Sequence, residues 1–328
     1  MNPILRGRSF VIASALMLAV QNVFLRVMFS ESQLFGGDRV GGLLPATFDH
    51  SLLLLWMRSL WMMVLMVPLA RWLHPKTFAE LRALTSQPRL LMSVLGSGVT
   101  LFGTLVCLYT AVANLSAGVA IAIFFLYPAF TPILTRWVFR ERFTRLRAGA
   151  AAIATVGIGL TSPGFTSAGG GNIGVGVGAA LGAATIFSIH GILAQMSLKS
   201  LHPVPFTLST FLTIAILGGL ALPGLTFDVA SSTWSPLWIC SAAMAVLASV
   251  SYLLSNFGIR DIGVTPAFLI GASSPMFTAI AAAVAIDESL LTRQWLGIAC
   301  ITLAILALGF EKLSPAPEAR SPEKTRRA

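Results

Sequence analysis

Two residue pairs organise this chain. Pro128 and Glu141 stand at a fixed separation, and Pro275 and Glu288 stand at the same separation half a chain later. Laid over each other without a gap, Asn114–Ser162 and Asp261–Gly309 also match Phe130-Thr131 with Phe277-Thr278, Ile133 with Ile280, Ala152 with Ala299 and Thr155 with Thr302. So long a period marks a duplicated half rather than a solenoid unit of about 20 to 50 residues. A proline inside an apolar helix removes a backbone hydrogen bond and bends the chain. Within a membrane such a break is tolerated where protein or a water-filled cavity satisfies the freed carbonyl. Interrupted helices at matching places in two halves point to a solute site between them. The chemistry to expect is binding and passage, with packing kinks as the plain alternative.

The other reactive patterns fail on context. Gly169-Gly170-Gly171-Asn172-Ile173-Gly174 satisfies GxGxxG, but that fingerprint needs a preceding strand in a βαβ unit, and here it joins two apolar runs. Gly174, Gly178 and Gly182 continue it as a ridge of small residues for close helix approach. No HExxH, GxSxG, CxxC or P-loop pattern occurs, and Cys107, Cys240 and Cys300 lie singly in apolar runs, as packing residues. No metal and no cofactor is expected. The 12 acidic residues fall in connectors, in the tail or at span ends. Glu141 and Glu288, although repeated, sit in charged connectors where a hydrated carboxylate pairs with Arg or caps a helix.

The elements that must position these residues follow from composition. The chain is 56% hydrophobic and 10% charged, against about 25% charged in soluble domains, so it is an integral membrane protein and the lipid bilayer is its first partner. A net charge of +10 suggests nucleic acid, but the basic residues sit in short connectors and the tail, which is a topology signal; no nucleic-acid partner is expected. Crossing roughly 30 Å of hydrocarbon takes about 20 apolar residues. The sequence offers ten such runs, near 9–29, 51–73, 89–112, 116–139, 146–162, 173–198, 204–224, 234–257, 263–286 and 294–310. The first follows Arg6 and Arg8 and is long enough to span, so it reads as an uncleaved helix rather than a signal peptide. Closed barrels are excluded because the runs lack alternation.

Most of the 22 Lys and Arg lie in connectors on one side, Arg140, Arg142, Arg145 and Arg147 among them, whereas the other side has Arg39 and Arg293. Short cytoplasmic loops carry positive charge, so both termini are placed in the cytoplasm. An odd number of helices per half then turns the halves upside down relative to each other. The repeated hinge agrees: Trp137–Arg147, inside, is dense in Arg, while Val284–Gln294, outside, carries Asp287, Glu288 and Arg293. The expected fold is an all-α membrane protein of ten helices in two inverted five-helix repeats. Residues 1–162 form the first, 163–172 a glycine-rich connector, 173–310 the second and 311–328 a solvated tail. The 30–50 connector, with Gly36-Gly37 and Gly41-Gly42, fits a mobile lid and a plain spacer equally.

A few polar groups converging among aromatics make a small-solute pocket. The candidates are Asn22 on the first span, Thr100 on the third, Tyr127 and Pro128 on the fourth, His190 on the sixth, Asn256 on the eighth, and Ser274 and Pro275 on the ninth. Each also fits a helix–helix hydrogen bond or packing role. No carboxylate is expected mid-membrane to trade a proton for a cation, whose burial without a counter-charge costs at least about 2.5 kcal/mol. The substrate is therefore a neutral, zwitterionic or weakly anionic solute. Arg26 and Arg58 at most draw a carboxylate toward the outer vestibule, and His190, an imidazole, is the one proton carrier at depth.

These residues resemble two tandem EamA-type halves of the drug/metabolite transporter superfamily over about residues 9 to 310. The closest matches are Pro128…Glu141 and Pro275…Glu288, with Gln294 and Gly297 after the second Glu; Arg147 and Ala150 depart from the pattern's Gln and Gly in the first copy. The resemblance implies a ten-helix transporter of the bacterial cytoplasmic membrane with a central cavity, exporting or exchanging amino acids or related metabolites. The alternative from another class is a flippase or membrane enzyme acting on a lipid-linked substrate. A monomer suffices for these elements, with oligomeric state left open.

Overall fold

Backbone in hydrocarbon finds no water to satisfy its N–H and C=O groups, so a chain this apolar folds into helices that bond within themselves. The computed structural model describes residues 2–29, 31–33, 37, 39–45, 47–115, 117–139, 145–161, 172–285 and 291–310, nearly all of them helical. In chain order the helices are α1 (Pro3–Phe29), α2 (Phe48–Leu73), α3 (Thr77–Leu84), α4 (Pro88–Asn114), α5 (Ala117–Phe124), α6 (Tyr127–Phe139) and α7 (Arg145–Thr161). The second half supplies α8 (Ile173–Leu198), α9 (Pro203–Ala221), α10 (Trp234–Ile262), α11 (Val264–Gly271), α12 (Ser274–Ala285) and α13 (Thr292–Phe310). Among the described residues, 7 stretches are long and apolar enough to cross a bilayer: α1, α2, α4, α8, α9, α10 and the α11–α12 pair. The apolar cores of α7 and α13 are shorter, and α3 is a one-face helix in the connector after α2.

The expected fourth and ninth spans are each two helices, not one bent helix. The breaks fall at Phe125-Leu126 and at Ala272-Ser273, equivalent positions of the repeat, and Pro128 and Pro275 each stand second in the helix that follows. The reason is local. First-turn N–H groups have no intrahelical partner, so proline loses nothing there. The carbonyls of Phe124 and Gly271, four residues upstream, lose their donors. The chain tightens instead: the Leu126 N–H donates to the Ile123 carbonyl at 3.1 Å and the Ser273 N–H to the Ile270 carbonyl at 3.0 Å.

The halves are packed as exchangeable sets. α1 lies antiparallel to α10, joined by Ser14 and Ser251 with hydroxyls 3.0 Å apart, and α4 lies antiparallel to α8. Exchanging the halves turns the α1–α10 packing into α8–α4, α1–α12 into α8–α6 and α2–α10 into α9–α4, while α2–α9 and α7–α13 map onto themselves. The basic connectors gather at one end of the bundle. There Arg6 pairs with Asp261 at 2.8 and 3.0 Å, His74 stacks on His202 with ring centroids 4.1 Å apart, and the Lys199 ammonium sits 4.5 Å above the Phe139 ring. At the opposite end Asp49 accepts from the Thr226 N–H at 3.1 Å and Asn114 from the Asn172 N–H at 3.1 Å.

The 30–50 connector is tied down at its second half. Ser32–Gln33 pairs antiparallel with Arg39–Val40, and the Gly42 N–H donates to the Val27 carbonyl at 3.0 Å. Gly41 has φ 103°, and a Cβ there would come within 2.0 Å of the Val27 carbonyl oxygen. Only glycine allows that approach.

Candidate functional site

The two interrupted helices meet through their halves nearest the basic end. Thr135 of α6 and Thr265 of α11 have hydroxyls 3.1 Å apart, and the Tyr127 and Phe268 rings lie edge to face at 5.2 Å. Phe187 of α8 stacks on Phe268 at 4.8 Å with the planes 5° apart and meets Tyr127 edge-on at 4.8 Å. Phe124 and Phe125, at the break, stand 5.3 and 5.5 Å from Tyr127. Edge-to-face and offset contacts of this kind are favourable beyond the apolar area they bury. The backbone around this seal is satisfied by short polar side chains. Thr131 and Ser188 donate to the Tyr127 carbonyl at 2.7 and 3.2 Å, and Gln195 of α8 accepts from the Val264 N–H at the start of α11 at 2.7 Å.

The second break is furnished differently. Ser274 occupies the place of Tyr127, and Thr278 donates to its carbonyl at 2.8 Å, as Thr131 does in the first half. Asn22 of α1 donates to the Thr278 hydroxyl at 3.3 Å. The Ser274 hydroxyl and, on α1, the Gln21 Oε1 are buried without a hydrogen-bond partner among the described residues. A buried polar atom is normally paired, so this is a place where a polar solute or water has bonds to make.

The expected site residues thus separate into groups. Tyr127, Pro128 and His190 lie in or beside the aromatic seal. Asn22, Ser274 and Pro275 lie together where α1 meets α12. His190 is buried, with Nδ1 2.9 Å from both the hydroxyl and the carbonyl of Ser97 and its ring against Phe187 at 5.6 Å; it ties α8 to α4. Thr100 spends its hydroxyl on the Gly96 and Ser97 carbonyls of its own helix at 2.7 and 3.0 Å. Asn256 donates to Thr207 at 2.8 Å, joining α10 to α9 away from either break. The Arg26 side chain, Glu141, Glu288 and Gly169–Gly171 lie outside the described residues.

One residue of more weight than the sequence reading gave it is Arg58. It stands ten residues into α2, about 15 Å at 1.5 Å per residue, and is 8% exposed. Its helix packs against α9, α10 and α4, so the side chain is buried within the bundle. The signal was present in the sequence as an arginine within an apolar run, a functional-site signal in a membrane span.

Comparison with known proteins adds the identity of the repeat. The model of the EamA-like transporter family matches residues 40–162 and again 174–310, one match for each half. An uncharacterized transporter of Synechocystis sp. (strain ATCC 27184 / PCC 6803 / Kazusa) is 32% identical over 314 residues, covering 95% of each chain. A solved crystal structure superposes with a TM-score of 0.64 over 93% of this chain and 95% of that one at 14% identity, a likeness of fold. With most of its length covered by two successive matches to one model, the chain belongs to the EamA-like transporter family and is a multi-pass membrane transporter.

Proposed function

We propose that this protein is a ten-helix secondary carrier of the bacterial cytoplasmic membrane. It moves a small neutral, zwitterionic or weakly anionic metabolite, an amino acid or a related compound, by alternating access, as export or exchange. The observation that carries this reading is an asymmetry in packing. Exchange of the halves should match α6–α11 with α12–α5, α8–α10 with α1–α4, and α8–α11 with α1–α5. The first member of each pair is packed, and among the described residues the second has no comparable packing. Halves of one design packed on each other near the basic end support one state of an alternating carrier. The positive-inside rule puts the basic end in the cytoplasm, so this form opens outward, with both termini inside. The acidic side chains described within the helices, such as Asp49 and Asp261, lie at helix ends, which supports a substrate that is not a cation.

The test is a lock across the seal. In a background with Cys107, Cys240 and Cys300 replaced by Ala, the pair Thr135→Cys and Thr265→Cys is bridged with a short cleavable thiol crosslinker and the protein is assayed in liposomes against a panel of amino acids and metabolites. Uptake should be lost on bridging and return on cleavage. Full transport by bridged protein would mean that the basic end need not open, and alternating access would fall. Transport confined to lipid-linked solutes would favour a flippase instead.

A further inference from the structure

We infer that Arg58 anchors a carboxylate-binding subsite in the transport path. Its place in a path rests on the carrier reading above; its chemistry does not. Arg58 is the only buried Lys or Arg among the described residues. Its Nε is enclosed without a hydrogen-bond partner, and no described carboxylate pairs with it. Asp49 bonds Thr226, Glu80 bonds His74 and Asp261 bonds Arg6, all at the ends of the bundle. A guanidinium stays charged at any physiological pH, so burial cannot neutralise it as it does Lys or His, and a charge held at membrane depth without a counter-ion is costly.

Trp61, one turn further along α2, buries its Nε1 without a partner and rests edge-on against Trp238 at 6.4 Å; an indole N–H only donates. Tyr109 of α4 and Tyr252 of α10, on helices packed against α2, carry hydroxyls that donate as well as accept. A carboxylate supplies acceptors for all of these and matches the planar fork of arginine with two parallel bonds. A single buried cation matches one negative charge, which favours a monocarboxylate over a phosphate dianion. The rings of Trp61 and Trp238, packed on each other, suit an apolar remainder on the solute.

The experiment uses the purified full-length protein and solutes of one skeleton, followed by thermal unfolding and tryptophan emission. Leucine and 4-methylvalerate carry a carboxylate; leucinamide and isoamylamine do not; inorganic phosphate is the competing anion. Both carboxylates should raise the unfolding temperature, a ligand-linked shift, while the amide and amine should not. Arg58→Gln should weaken carboxylate binding at least tenfold, Arg58→Lys less, and Trp61→Phe a few-fold. Without solute Arg58→Gln should unfold no earlier than the parent, since it removes an unpaired charge. The inference is overturned if neither carboxylate binds the parent, if Arg58→Gln binds them equally, if phosphate binds better than both, or if Arg58→Gln and Arg58→Lys fail to fold, which would make Arg58 a structural residue. Failure of the carrier reading is separable: the bridged seal would then leave transport intact while carboxylates still bind.

Discussion

His202 caps α9 with its own ring. Its Nδ1 accepts from the Val204 N–H at 3.3 Å, while the ring stacks on His74, whose Nε2 is 2.7 Å from Glu80 Oε1. Burial lowers the pKa of His202 below the usual histidine value, and the charges of His74 and Arg260 lower it further against the opposite pull of Glu80. The native protein then binds fewer protons here than the unfolded chain, so the contribution to stability is full above about pH 6.5 and is lost as pH falls below it, levelling off once the native ring also protonates. Protonation also takes away the acceptor that caps the helix. His202→Asn keeps a capping acceptor and does not titrate. Its unfolding temperature should equal that of the parent near about pH 7.5 and fall less toward about pH 5.5, as read by thermal melts across that range. Parallel curves would mean that this histidine pair does not sense pH.

At the scale of elements, the breaks and the seal make separate predictions. Pro128 and Pro275 begin their helices without a donor, and Ala at either position restores an N–H for the Phe124 or Gly271 carbonyl. Each variant should fold, straighten its span and transport at least about tenfold more slowly, a loss of roughly 1.4 kcal/mol in the rate-limiting step. Normal transport by both would reduce the breaks to packing features. The seal depends on the absence of a side chain at Gly191 of α8, where a Cβ would come within 2.5 Å of the Phe268 ring and of Val264. Overpacking of that kind costs about 1–3 kcal/mol. Gly191→Val should therefore disfavour the form closed at the basic end. A cysteine at Thr265 should then react faster with an aqueous thiol reagent from the cytoplasmic side than it does with glycine at 191. Unchanged labelling would separate Gly191 from the gate.

For the whole molecule the decisive property is sidedness. α7 and α13 pack antiparallel, with Gly157 against the Gly297 carbonyl, so Arg145 and Thr292, at the starts of equivalent helices, sit at opposite ends. Reporter fusions should place Arg145 in the cytoplasm and Thr292 outside, because Lys and Arg in short loops are retained inside. The same side for both would end the inverted-repeat account and with it the reading of the packing asymmetry as a transport state.

Much of this was legible in one dimension. Hydrocarbon demands a long apolar run and a backbone that satisfies itself locally, so the helical spans, the duplicated half, the matched prolines and the charge bias could be read without coordinates. Proline acts within one turn of itself, and even so the sequence placed a bend where there is a break, because the tightening at Leu126 and Ser273 depends on bonds a residue pattern does not display. The site was less legible. Tyr127 and Phe268, Ser97 and His190, or Asn22 and Thr278 meet across helices far apart in the chain, and no local pattern sets which helix packs on which. Arg58 is the sharpest case: its charge and its place in an apolar run were plain in the sequence. That it is buried with its Nε unpaired was decided by the tertiary packing alone, since pairing and burial belong to the neighbours and not to the residue.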